Sequence, residues 1–178
     1  MMTRFLLMFA GALTLMLCVP ASQADTESIT VTFAGTGYDT TVDNFDDGLP
    51  LGLVSAHAKG SFGAKQVDIS SEFLEADVDC QAGYLIELGL VYSAWVITYA
   101  DNSQTFGYCP SGWACVNPTT GHYYGEVEGV FLGGTGRFEG VSGELISRYD
   151  GYNLEPPGLE PVGFRTMTGK TTGTIELP

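Results

Sequence analysis

Tyr84-Leu85-Ile86-Glu87-Leu88-Gly89-Leu90-Val91-Tyr92-Ser93-Ala94-Trp95-Val96-Ile97-Thr98-Tyr99 is the stretch whose reading decides the fold. One parity holds Ile86, Leu88, Leu90, Tyr92, Ala94 and Val96, and the other holds Leu85, Val91, Trp95, Ile97 and Tyr99. An extended chain would therefore show apolar side chains on both of its faces. A helix would have to accept several β-branched residues beside aromatics and Gly89, so the run reads as one long strand, or as two joined at a bend near Gly89 or Ser93. Asp101-Asn102-Ser103 supplies the turn after it.

Working outward, Ile29, Val31 and Phe33 alternate with threonines as an early strand, which Gly35 and Gly37 are expected to end. Tyr38 to Pro50 is acidic and polar and reads as a surface excursion. Further strands are expected over Leu51 to Phe62, Val67 to Ile69, Phe73 to Val78, Gly121 to Leu132, Ser142 to Tyr149 and Phe164 to Leu177. Pro156, Pro157, Gly158 and Pro161 mark an irregular loop. About eight strands without a helix point to an all-β protein, a single closed antiparallel barrel, with a β-sandwich as the runner-up. A barrel of that size is either filled by side chains or wide enough for one small ligand.

Composition narrows the partners and the compartment. The 178 residues carry 21 acidic against 7 basic side chains, a formal charge of -14, which disfavours nucleic acid and anionic membrane surfaces. Arg4, the apolar run Phe5 to Val19 and the small-residue exit Ala21-Ser22-Gln23-Ala24 predict a signal peptide over residues 1–24, hence a secreted or periplasmic protein. Its removal leaves 154 residues, 25–178, as a single barrel domain with six basic residues against 21 acidic ones. No later run has the continuous apolarity of a spanning helix, so stable membrane insertion is not expected. Cys80, Cys109 and Cys115 remain. The six-residue spacing around Pro110-Ser111-Gly112-Trp113 predicts a Cys109–Cys115 disulfide, with Cys80 as a buried small hydrophobe.

The run Gly133-Gly134-Thr135-Gly136-Arg137-Phe138-Glu139-Gly140-Val141-Ser142-Gly143 resembles the glycine-rich hairpin of the allene oxide cyclase-like and dirigent-like barrel superfamily, in its exported bacterial branch. Tyr99-Ala100-Asp101-Asn102-Ser103 and Thr172-Gly173-Thr174-Ile175 are similar to neighbouring strands there, so the resemblance spans Ile86 to Leu177. It implies a β-barrel in which Gly133, Gly134, Gly136, Gly140 and Gly143 shape the backbone. Family members include cyclases acting on a fatty-acid-derived allene oxide and dirigent proteins that orient phenoxy radicals. The resemblance carries no catalytic residue onto this chain.

Chemistry-bearing motifs are sparse. Gly133 to Gly136 lacks the Lys-Ser/Thr pair of a phosphate loop. His57 and His122 are too separated to specify zinc, and no Gly-x-Ser-x-Gly elbow frames a serine. Asp43, Asp46 and Asp47 are weak calcium candidates, and Glu75, Asp77 and Asp79 share a parity that favours solvent. Tyr84, Tyr92, Trp95 and Tyr99 are candidates to line a ligand site, with core packing as the competing role. The expectation is an exported small-molecule-binding or structural barrel without a cofactor. An isomerase or cyclase acting on a hydrophobic substrate is one alternative. A protein-interaction module using the acidic surface, including a homo-oligomer, is another.

Overall fold

The computed structural model describes residues 25–39, 51–154 and 163–178. The expected signal peptide, residues 1–24, and the calcium candidates Asp43, Asp46 and Asp47 lie outside the described residues. Eight strands follow in order: β1 (Asp25–Asp39), β2 (Gly52–Gly60), β3 (Ala64–Glu75), β4 (Ile86–Tyr99), β5 (Gln104–Val116), β6 (His122–Thr135), β7 (Ser142–Leu154) and β8 (Phe164–Leu177). Each pairs antiparallel with its neighbour in sequence, and β8 returns to β1 along Asp25↔Leu177 to Tyr38↔Phe164, closing a barrel without an edge. The sandwich alternative is excluded by that closure.

Side chains alternate in and out along each strand, as pleating requires. Ile29, Val31 and Phe33 of β1, Val67 of β3, Ile97 of β4 and Ile175 of β8 are all buried in the lumen. β4 explains why its sequence is apolar on both parities. Its register against β3 shifts between Glu72↔Tyr92 and Phe73↔Leu90, which places a bulge at Val91. Leu88 therefore lines the lumen before the bulge, and Ser93 and Trp95 do so after it. A bulge that inserts one residue reverses the facing of everything beyond it.

Three further readings are corrected. β1 runs through Gly35 and Gly37 instead of ending there, because the neighbouring strand passes so close that a Cβ would come within 2.2 Å of the Ser55 carbonyl oxygen at Gly35 and 2.4 Å of that of Leu53 at Gly37. The two weak strands at 67–69 and 73–78 merge into one strand, β3, which ends at Glu75, short of Val78. The segment from Cys109 to Cys115, read as a disulfide-closed loop, belongs to a full strand, Gln104–Val116.

That strand overturns the Cys109–Cys115 pairing. β5 bulges between Tyr108↔Val130 and Ser111↔Glu128, and Cys109 is buried in the interior core as a free thiol. Cys115 instead bonds Cys80, across a sequence separation of 35, and ties the segment between β3 and β4 to the outside of the wall. Two cysteines in one strand cannot approach each other as they would in a closed loop, since an extended chain holds them apart. Cys80 is thus a disulfide partner and not a lone buried hydrophobe.

The lower end of the barrel, where β3 meets β4's end and β6 hands over to β7, is plugged. Phe62, Tyr99 and Phe138 pack with ring centroids 5.5 Å apart for Phe62–Phe138 and 4.4 Å for Tyr99–Phe138. The Arg137 guanidinium covers them, 4.8 Å from the Phe138 centroid, and is held by Asp101 at 3.3 Å and the Phe62 carbonyl. Such cation–π contacts favour a fixed plug. Gly136 (φ 62) and Gly140 (φ 80) take the left-handed backbone of this turn, with Gly133 and Gly134 in the last turn of β6 and Gly143 at the start of β7.

The bridge is tested by alkylating the unfolded, unreduced protein. Peptide mapping should show Cys109 labelled and Cys80 linked to Cys115; labelled Cys115 contradicts it. Replacing Cys80 and Cys115 with serine should cost about 4 kcal/mol by loop-closure entropy for that 35-residue separation.

The barrel lumen as candidate functional site

Large inward side chains need room in a barrel of eight strands, and glycine supplies it. Trp95 of β4 sits directly opposite Gly107 of β5, Tyr149 of β7 opposite Gly125 of β6, Tyr123 of β6 opposite Gly151 of β7, and Phe33 of β1 opposite Gly169 of β8. A Cβ on those glycines would come within 2.5 Å of Trp95 Cζ2, 2.5 Å of Tyr149 Oη, 2.7 Å of Tyr123 Oη and 2.4 Å of Phe33 Cζ. Each ring therefore lies across the backbone of its cross-strand partner. Cross-strand pairs are the unit of sheet stability, and here one member of each is reduced to a hydrogen.

Above the plug the rings leave space. A cavity of about 210 Å³ is lined by Phe33, Ile69, Phe73, Leu88, Val127 and Met167, with Asp39, Asn153 and Arg165 among its polar groups. A smaller hollow of about 40 Å³ shares Phe33, Ile69, Ser93, Val127 and Ser147 with it and reaches Trp95 and Cys109 deeper in the barrel. The two form one apolar lumen that, among the described residues, extends toward the end where β1 stops and β8 begins. Arg165 of β8 and Asp39 of β1 meet there as an ion pair, both largely buried, which leaves neither charge unmatched inside the barrel.

The remaining polar atoms are mostly committed. Tyr123 Oη donates to the Thr166 carbonyl at 2.6 Å, Tyr149 Oη to that of Trp113 at 3.2 Å, and Thr171 Oγ1 to Ser147 Oγ at 3.1 Å. Burial pushes the Tyr123 phenol up to about 12, with Arg165 opposing and Asp150 and Asp39 reinforcing the shift. Burial raises Tyr149 further, aided by Tyr123. The Cys109 thiol is pushed up to about 11 by burial, against a hydrogen bond with Ser93. The lumen thus presents neutral donors and one internal ion pair instead of an ionised nucleophile.

The four aromatic ligand-lining candidates separate. Trp95 borders the deeper hollow. Tyr99 is fully buried in the plug, where its hydroxyl meets Thr105 Oγ1 at 3.0 Å. Tyr84 stands outside the wall, its ring 4.8 Å from Tyr124 and its hydroxyl 2.7 Å from His122 Nδ1. Tyr92 lies opposite Glu72, on the outward parity of β4. Of Tyr123 and Tyr124, the first faces in and the second faces out. His57 is exposed on the outside of β2, and Glu75, Asp77 and Asp79 are exposed at and beyond the end of β3. Among the described residues no three His, Cys, Asp or Glu groups converge as for a metal. No helix among them is long and apolar enough to cross a membrane.

Tyr149, Asp39 and Arg165 are the lumen residues that the sequence reading passes over. Alternation in β7 and β8 would have found Tyr149 and Arg165, since each shares parity with buried Leu145 or Met167.

These features define a class: an all-β, closed eight-stranded antiparallel barrel, plugged at one end and, among the described residues, hollow toward the other. No protein-family model matches the chain, and no curated protein matches it. Among solved structures it is similar to a pterocarpan synthase dirigent protein, at 10% identity over 88% of this chain and 87% of that one, with a TM-score of 0.36. It is also similar to Ail, the attachment invasion locus protein of Yersinia pestis, in complex with the heparin analogue sucrose octasulfate, at 9% identity over 85% of this chain and 99% of that one, with a TM-score of 0.16. At those scores neither likeness bears on what this chain does, and the architecture rests on its own strand pairing.

The buried phenols set a pH dependence. The folded chain keeps a proton on Tyr123 up to about pH 12, whereas an unfolded tyrosine releases it near 10. This contribution is therefore complete below pH 10 and is lost as pH rises toward 12. Urea unfolding should give a lower free energy at pH 11 than at pH 9, with a shallower loss in Tyr123→Phe. Equal stability at the two pH values contradicts the burial described.

Proposed function

We propose that the protein is an exported carrier or sensor barrel that takes a compact, mainly apolar small molecule into its lumen. The observation that carries this reading is the contrast between the two ends. The lower end is closed by Phe62, Tyr99 and Phe138 under Arg137, while the upper half keeps about 210 Å³ of apolar-lined space. Pockets for drug-sized ligands run to roughly 300–1,000 Å³, so the molecule is small. Its polar end lies toward Asn153, Asp39 and Arg165, and its apolar body toward Ile69, Val127 and Met167.

Binding is favoured over catalysis by the state of the polar groups. The Tyr123 and Tyr149 hydroxyls donate to main-chain carbonyls, and the Asp39 carboxylate is engaged by Arg165. A general base or acid for a cyclase or isomerase would need a group free to exchange a proton with substrate. Export is supported by the leader-like residues 1–24 and by the Cys80–Cys115 bridge, a bond that persists in oxidising compartments.

Native mass spectrometry of protein purified from its native host tests the reading. A small organic molecule should be retained by the wild-type barrel and lost from Ser147→Phe, whose new ring fills the junction of the two hollows. Ser71→Leu, nearer the open end, provides a second, milder blockade should Ser147→Phe not fold. Equal retention in wild type and a folded blocked variant, or no retained molecule at all, contradicts lumen binding.

A further inference from the structure

A broad concavity lies on the outside of the wall. It has a volume of about 750 Å³ and crosses β1 to β5. Its floor is made of small residues, Ser55, Ser70 and Ala94, with Asp68 among them. Bulky side chains rise at its two ends. Tyr38 and Phe164, paired across β1 and β8, are 46% and 43% exposed; Phe106 and Leu132 are 37% and 64% exposed. The second wall has a structural cause. The β5–β6 register slips between Phe106↔Gly133 and Gly107↔Phe131, so Leu132 has no partner position and projects, while the Phe106 ring lies over Gly133.

Asp68 is the only charged side chain among the described residues lining this trough, in a chain with 21 carboxylates. That carboxylate is held in place, with Oδ1 accepting from Ser55 Oγ at 2.7 Å and Oδ2 from Gln66 Nε2 at 2.8 Å. An anionic partner is repelled by the molecule as a whole, and a cationic one is drawn to the acidic remainder of the surface instead of to the face where carboxylates are spared. What fits is a neutral partner with flat apolar faces for the aromatic walls and hydroxyls for a fixed acceptor. Four strand spacings separate β1 from β5, about 19 Å along the wall, which suits an extended chain better than a single small molecule.

We propose that this trough binds a neutral polysaccharide, whose sugar rings lay their C–H faces on Tyr38 and Phe106 and whose hydroxyls donate to Asp68. The C–H faces bury apolar area, and a hydroxyl to a carboxylate is a charge-assisted hydrogen bond. The site lies on the outer face of the wall, which it shares with the lumen at Ile69 and Trp95.

Depletion assays on amorphous cellulose, xylan and chitin, followed by calorimetry with oligosaccharides of whichever retains the protein, test it. At least one of the three should bind, with affinity unchanged at high salt because no ion pair is made. Phe106→Ala and Asp68→Asn alter side chains on the outer wall and should each weaken binding at least tenfold, while Ser71→Leu in the lumen leaves it unchanged. Retention by none of the three glycans overturns the proposal, as does retention that both outer-wall variants preserve or that salt abolishes. Self-association of the wild type that Phe106→Ala reverses would make the trough an interface between copies, and would overturn it also.

Discussion

The structure depends on a steric exchange across adjacent strands: most of the large rings that point into the lumen have glycine as their direct partner on a neighbouring strand, Phe73 opposite Leu90 and Tyr99 opposite Ala64 being the exceptions. Trp95–Gly107, Tyr149–Gly125, Tyr123–Gly151 and Phe33–Gly169 are four instances, and Leu145 repeats the arrangement with Gly129, whose Cβ would come within 2.6 Å of Leu145 Cδ1. An eight-stranded barrel has an interior only just wide enough for side chains. Two facing rows of large residues would force it open, and two rows of small ones would leave it collapsed or void. Pairing large with hydrogen lets each ring lie flat along the wall, and the closed register follows from that.

The same exchange decides where the lumen is full. Below Trp95 the rings of Tyr99, Phe138 and Phe62 converge from the strand ends and turns, and Arg137 seals them. Above it the inward positions include Ser71, Ser93, Ser147 and Ala114, which do not reach the barrel axis. The hollow is thus a consequence of small side chains on β3, β4, β5 and β7 at one level. Its ion pair and hydroxyls are matched internally, while the Trp95 indole N–H and Arg165 Nε are buried without a hydrogen-bond partner among the described residues.

Much of the architecture was legible in the sequence because alternation survives even when strands are interrupted. Ile29-Thr-Val31-Thr-Phe33 and the 164–177 run read directly as strands, and their number pointed to a closed barrel while leaving the sandwich open. The 84–99 run was legible as a strand, but its double-sided apolarity was opaque, since a bulge at Val91 changes facing without leaving a residue signature. β5 was missed for a related reason. Gly107, Pro110 and Gly112 read as breakers, yet in the barrel two of them accommodate cross-strand neighbours and Pro110 sits at a bulge, where its missing N–H costs no ladder bond. With that strand unread, Cys109 and Cys115 looked like ends of a loop, and Cys80 had no visible partner. The lumen residues were hidden by the same logic: a glycine's role as the space opposite a ring is a long-range fact, whereas the sequence shows only its local freedom to turn.

X-ray diffraction from a crystal pressurised with xenon tests the central claim, a lumen filled below Trp95 and hollow above it. Xenon enters apolar space and leaves filled cores dry. The account predicts a strong xenon peak enclosed by Ile69, Val127 and Met167, and none among Phe62, Tyr99 and Phe138. An upper lumen closed by repacked side chains, with no xenon inside the barrel, would contradict it.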